Sequence, residues 1–209
     1  TFNNHRGVAF SLETDIVFGQ KYMSLPNYKL GYSDQKYPKL SLRISGLFGS
    51  SESDYNHMHF SAKINQSISL RNKGITDYIL KAGIFNSNSA FMDYYHPKSN
   101  ETFVRSNGLE NFQLLPYYSR STNKSYAEIH LTHDFKKWIL GKVPLVRWLQ
   151  SSLETSFHLN MSETLAPYYE TSVGIKNLGF GKYRFLRIDY VRAFQHGFKA
   201  DGVIFGFSF

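Results

Sequence analysis

His57 and His59 stand two residues apart. In an extended strand that spacing puts both imidazoles on one face, where they would hold a metal ion if a third ligand converged on them. No third ligand stands at a committing spacing, and histidines hydrogen-bonded to their neighbours in a wet interior are the plainer reading. His130 and His133 are three apart, so in a strand they fall on opposite faces and cannot share an ion. Four acids, Glu128, Asp134, Glu154 and Glu170, stand among Lys176 and Arg187, a mixture that reads as a structural ion-pair network before it reads as acid–base catalysis. There is no G-x-S-x-G nucleophile elbow, and without cysteine there is neither a thiolate site nor a disulfide framework. The Asn-x-Ser/Thr triplets at Asn65, Asn100, Asn123 and Asn160 read as chance matches, two of them inside strands. The expectation is a protein with no catalytic, metal or cofactor residues.

The elements that position these residues are strands. From Val8 to Phe18 the even positions are Val, Phe, Leu, Thr, Ile, Phe, while the odd ones from Gly7 to Asp15 are small or charged. Successive strand side chains point to opposite faces, so one face is apolar and the other polar. The pattern returns at 40–48, 58–70, 78–84, 127–135, 149–161, 169–175, 186–190 and 203–209, with a weaker strand near 112–119, about ten in all. Several exceed ten residues, whereas a tilted membrane-crossing strand needs about 9–11 and soluble strands average about five or six. The polar faces carry charge near strand centres. Arg43, Lys63, Glu128, Glu154, Glu170, Arg187 and Asp189 are expected to line a wet lumen, with Leu42, Phe60, Ile129, Leu153, Ile188 and Phe205 facing lipid. Phe48, Tyr55, Tyr117, Tyr118, Phe135, Trp138, Trp148, Tyr168 and Tyr183 lie towards strand ends, as interfacial girdles require.

Composition agrees with this. Aromatics are 17% of 209 residues, with 15 Tyr and 18 Phe, yet mean hydropathy is slightly negative, which suits a sheet with one apolar and one wet face. The net charge of +8 comes from bases scattered along the chain, and no nucleic-acid partner is expected. No apolar run reaches the length of a transmembrane helix, and the sequence opens without a signal-peptide pattern. An exported protein's upstream part is therefore expected before these residues.

Residues 19–36 read as an exposed loop. Residues 86–110 form a second long connection, with an extra strand concealed near 102–105. Counting back from a periplasmic carboxy terminus puts this connection on the periplasmic side, where turns should be short, so the strand parity is in conflict. Residues 136–148, KKWILGKVPLVRW, read as an interfacial turn or short helix at headgroup level.

Four stretches carry a family resemblance: 37–70, 75–85 (ITDYILKAGIF), 126–150 (YAEIHLTHDFKKWILGKVPLVRWLQ) and 167–194, followed by the terminal GFSF. They resemble the uncharacterised barrel domain of large Bacteroidota outer-membrane proteins that carry a carboxypeptidase-regulatory-like (transthyretin-like) domain at the amino terminus. Those barrels are distantly similar to the BamA and TamA assembly-factor barrels. The chain departs from the family at 148–150, where a more basic stretch is usual, and at 90–100. The resemblance implies an antiparallel transmembrane β-barrel in the bacterial outer membrane, with residues 1–209 as the carboxy-terminal portion of a larger barrel. A signal peptide and the transthyretin-like domain would lie upstream, and no peptidase activity is implied.

The function expected is envelope assembly or polypeptide translocation. The alternatives are a pore or scaffold for lipid or envelope partners, and a soluble glycan-binding β-sandwich. Partners expected are outer-membrane lipid and lipopolysaccharide, other envelope proteins, and the barrel-assembly machinery. The last would recognise the alternating Val203, Phe205, Phe207 and Phe209 by strand addition.

Overall fold

The computed structural model describes residues 6–32, 36–49, 55–144, 150–181 and 183–208. Within them the protein is all-β, with eleven strands and a few short 3-10 turns, and no helix is long and apolar enough to cross a membrane. The strands are β1 (Val8–Val17), β2 (Lys21–Ser24), β3 (Lys29–Tyr32), β4 (Lys39–Phe48), β5 (His57–Ser69), β6 (Ile75–Phe85), β7 (Tyr126–Asp134), β8 (Ser152–Ser162), β9 (Tyr168–Phe180), β10 (Tyr183–Phe194) and β11 (Phe198–Phe207). Nine of them form one sheet in the order β1-β4-β5-β6-β7-β8-β9-β10-β11, and β2 and β3 form a separate hairpin. Every neighbouring pair in the large sheet is antiparallel. With nine strands alternating in direction, β1 and β11 run the same way. No pairing joins them among the described residues.

Register turns the period-two sequence into two ladders. Leu80 lies opposite Ile129, Ile129 opposite Leu159, Leu159 opposite Tyr169 and Tyr169 opposite Phe194. One residue along, Lys81 faces Glu128, Glu128 faces Asn160 and Asn160 faces Tyr168. A slip of one residue would exchange the ladders, so the pattern fixes the register. The two faces differ in an unusual sense. Ile188 is 42% exposed and Phe205 49%, while Glu128 is 2% and Glu170 and Asp189 are 0% exposed. The apolar face looks outward and the charged face is buried.

Burial of the charged face comes from the sheet's curl and from residues 86–125, which cross it. One cavity of about 680 Å³ is lined together by Val17 of β1, Asn65 of β5, Thr132 of β7, Glu154 of β8 and Arg187 of β10. Into this concavity the 86–125 segment inserts Phe112 and Leu115, both fully buried against Tyr168 and Ala193. We call this segment the plug.

The plug corrects several expectations. Residues 112–119 are no strand: Phe112, Gln113 and Leu115 cross the concave face buried, and an exposed turn follows at 117–119. Without that strand the parity conflict disappears, because the plug leaves the same end of the sheet as the connections after β4, β8 and β10. The concealed strand at 102–105 is a single bridge, Val104 to Phe205. Tyr168 is no girdle residue: it points inward and is 0% exposed. Tyr117 and Tyr118 are exposed on the plug itself. The 19–36 stretch holds the β2–β3 hairpin. The basic connector contains a 3-10 turn at Leu140–Lys142, with the Lys142 ammonium 4.8 Å from the Trp138 ring centroid. Trp148 lies outside the described residues, as does Phe209.

Candidate functional site

The concave polar face and the plug seated on it are where the chain's buried chemistry lies. Their contacts fall into three groups, each joining a strand side chain to the plug.

The first is a carboxylate clamp. Glu170 of β9 accepts the main-chain N–H of Gln113 at 2.7 Å, that of Leu114 at 2.9 Å, and the Tyr168 hydroxyl at 2.6 Å. Two successive amides of a chain that forms no sheet there are satisfied by one buried carboxylate, which resolves what would be a costly pair of orphan donors.

The second is an ion cluster across β7, β8, β9 and β10. Lys176 Nζ lies 2.7 Å from both Asp134 and Glu154. Arg187 makes two 2.6 Å bonds to Asp189 and reaches Glu154 as well. The plug adds Arg105, whose Nη1 is 3.4 Å from Asp189 and whose Nη2 is 3.7 Å from Glu154. Three cations thus face three carboxylates, and removing any one would strand an uncompensated buried charge. The cluster needs Gly174: an added Cβ there would lie 1.8 Å from Asp189 Oδ1.

The third is a relay. Ser172 Oγ is 2.6 Å from Ser156 Oγ, which is 3.1 Å from His158 Nε2. His158 Nδ1 is 2.9 Å from His130 Nδ1, and His130 Nε2 is 3.4 Å from Glu128. Glu128 also accepts from Tyr95 of the plug at 2.6 Å and from Asn160 at 3.0 Å, and Lys81 donates to Tyr95 at 2.8 Å. One proton assignment satisfies every member. His130 is the Nε2–H tautomer donating to Glu128, and His158 the Nδ1–H tautomer donating to His130 and accepting from Ser156. Phe112 packs edge-on against both imidazoles, at 5.2 and 5.8 Å between centroids. Ser156, bonded to His158, is itself buried.

Beside the relay, Glu110 of the plug sits among three lysines. Lys63 bonds it directly, Lys98 is 3.1 Å away and Lys81 3.8 Å. Burial raises its carboxyl pKa, but the Lys63 hydrogen bond, the Lys81 charge and the Lys98 hydrogen bond outweigh that and hold it at about 2.

The residues singled out by sequence distribute unevenly. Glu128, Glu154, Glu170, Arg187 and Asp189 are buried on the concave face. Lys63 is half-buried on Glu110. Arg43 is exposed, donates to Ser11 at 3.1 Å, and lines a second cavity of about 430 Å³ with Lys63 and Lys81. Val203, Phe205 and Phe207 are exposed on the outer face. His57 Nδ1 lies 2.9 Å from the Tyr55 carbonyl, and His59 stacks on Phe85. Among the described residues no group of three His, Asp or Glu side chains is placed to hold a metal. His133, on the opposite face from His130, lies 2.7 Å from the Thr76 hydroxyl. Sequence reasoning missed Arg105, Glu110, Gln113 and Tyr95, which lie where no periodicity exists. It also missed the His130–His158 contact, which is a cross-strand pair in the β7–β8 register.

A family model described as the C-terminal domain of a family of unknown function, DUF5686, matches residues 1–175, from β1 into β9. No curated protein matches the chain, and no solved structure does.

Proposed function

This chain belongs to the DUF5686 family as its C-terminal domain, and from that premise we propose that it is a plugged wall of an outer-membrane β-barrel serving envelope assembly or polypeptide translocation. The observation that carries the reading is the inverted polarity. Large apolar side chains such as Leu80, Val173, Ile188 and Phe205 are exposed, while the ion cluster and the relay are buried. In water that exposed face would be a large apolar patch; in hydrocarbon it is the ordinary outer surface of a barrel, and the charged face is an ordinary lumen. A soluble sandwich would place those same apolar residues between two sheets, yet among the described residues only the small β2–β3 hairpin accompanies the nine-stranded sheet.

Strand direction supports the carboxy-terminal portion of a larger barrel. Bacterial single-chain barrels close antiparallel with even strand numbers. Because β1 and β11 run the same way, antiparallel closure takes an odd number of further strands, supplied upstream with the signal peptide and the transthyretin-like domain. With the end of β11 at the periplasm, the plug enters from the cell exterior, where long loops are the rule.

The assembly or translocation role rests on the BamA/TamA-like resemblance and on the plug seated across the concave face. A pore or scaffold is the competing role. Lipid, lipopolysaccharide and other envelope proteins are the proposed partners, with the barrel-assembly machinery engaging the last strand. The test is to express the full-length protein, separate the membranes, and run the outer-membrane fraction unheated and boiled. A folded, faster-migrating band confined to outer membranes is expected, and recovery in the soluble fraction without detergent overturns the membrane reading. Conductance in planar bilayers then separates the roles: little current with the plug intact supports the first, and steady large conductance the pore.

A further inference from the structure

Antiparallel neighbours send alternate connections to opposite ends of a sheet. Residues 18–38, 70–74, 135–151 and 181–182 join strands at one end, and 49–56, 86–125, 163–167 and 195–197 join them at the other. The bases that look scattered along the sequence sort by end. The first four connections hold ten Lys or Arg and one Asp or Glu, while the second four hold four and six. Positive charge therefore gathers at the end opposite the one from which the plug enters.

Two of the basic connections are packed together. β6 pairs with β7, which sets the 70–74 turn beside the start of the 135–151 connector. The Lys73 carbonyl lies 3.2 Å from His133 Nε2, and a Cβ added at Gly74 would run into the Asp134 carbonyl oxygen. Arg71, Lys73, Lys136, Lys137 and Lys142 are exposed there. Among the described residues none of the five is in an ion pair, and Asp134 is taken by Lys176 at 2.7 Å. Leu70, Trp138 and Val143 are exposed at the same end, with the Lys142 ammonium over the Trp138 ring and Phe135 stacked against it. A phospholipid headgroup layer supplies both what these cations lack and what these apolar groups lack. An acidic polypeptide in water supplies the charge but no hydrocarbon for Trp138 and Val143.

We propose that this end binds the phosphate groups of anionic phospholipids in the periplasmic leaflet. Arg71, Lys73, Lys136, Lys137 and Lys142 are the headgroup ligands, and Trp138 sits at the hydrocarbon boundary. The inference rests on the membrane reading above and names the lipid chemistry that reading leaves open. The leaflet follows from placing the end of β11 at the periplasm, because β5 and β7 finish at the same end as β11. The surface is made by turns, whose place at the end of the sheet does not change when further strands pair with β1 or β11.

The test uses folded full-length protein in a neutral detergent, incubated with an equimolar mixture of phosphatidylglycerol, phosphatidylcholine and lipid A. Retained lipid is counted by native mass spectrometry. Phosphatidylglycerol is expected to be retained about tenfold over phosphatidylcholine. Replacing all five bases by Gln should cut that preference to under about twofold. Lys124→Gln with Lys199→Gln, at the opposite end, should leave it unchanged. If the five-site variant does not fold, Lys136→Gln with Lys137→Gln alone should lower the preference about threefold. Heat-shifted migration on gels reports separately that each protein is folded as a barrel. Folded wild-type protein that retains the two phospholipids alike overturns the proposal and leaves the membrane reading standing. Lipid A held through the same five bases in preference to phosphatidylglycerol also overturns it, and so does a polyglutamate peptide retained where neither phospholipid is preferred.

Discussion

Glu170, buried in β9, accepts the main-chain N–H of Gln113 at 2.7 Å, fifty-seven residues earlier in the chain. One strand carboxylate thereby fixes the depth at which the plug sits. Glu170→Ala leaves two amides and the Tyr168 hydroxyl without their acceptor, and buried unsatisfied donors cost about 1–3 kcal/mol each. We expect a loss on the order of 3–5 kcal/mol in unfolding experiments, with new protease cleavage within 100–120. Glu170→Gln, which keeps one acceptor oxygen, should lose less than half as much. Equal losses for the two variants would show that the clamp is not what holds the segment.

The contact of Glu110 with Lys63, Lys81 and Lys98 makes the plug acid-sensitive in a defined window. The Glu110 carboxyl is held at about 2, below its ordinary 4.5. A depressed carboxyl pKa contributes stability that is complete above the unfolded value and is lost as pH falls through the folded one. Hydrogen exchange of plug amides should therefore be constant from neutral pH to about 5, after correction for the intrinsic rate, and accelerate between about 4.5 and 2. Glu110→Gln should abolish that acid step.

The relay fixes the imidazole tautomers. Nitrogen-15 spectra of selectively labelled protein should show His130 as the Nε2–H tautomer and His158 as the Nδ1–H tautomer. The reverse tautomers contradict the hydrogen-bond order running from Ser172 to Glu128.

Ile188 lies in the middle of β10 on the exposed apolar face. Ile188→Arg should cost about 2–4 kcal/mol when folding is measured into lipid vesicles, as for a cation placed on the lipid side near mid-membrane. In micelles the loss should be under about 1 kcal/mol. If the penalty is the same in both media, Ile188 does not face lipid.

The strands were legible because period-two alternation is a local signal, and β4 to β11 obey it even where single residues depart from it. The inward position of the acids followed from the same alternation. The plug was illegible for the opposite reason. Its order comes from partners far along the chain, Phe112 from Tyr168 and Ala193, Gln113 from Glu170, Arg105 from Asp189, and none of these imposes a period on the segment itself. Phe112, Leu114 and Leu115 therefore passed for a weak strand. The hairpin of β2 and β3 escaped because two four-residue strands are too short for alternation to show. Tyr168 misled because its position at a strand end resembles a girdle, and only its register opposite Asn160 reveals the inward face.

The plug lies between β6 and β7, yet most of what holds it comes later in the chain: Asn160 against Arg120, Glu170 against Gln113, Asp189 against Arg105, and Phe205 against Phe103. Such contacts span long sequence separations, and their loop-closure entropy must be met before they form. The plug consequently cannot find its seat until the final hairpin has been added. Until then Glu170 and Asp189 stay hydrated and the concave face stays open. Full seating thus requires β8 to β11 to be in place, and it reports that these strands are in register.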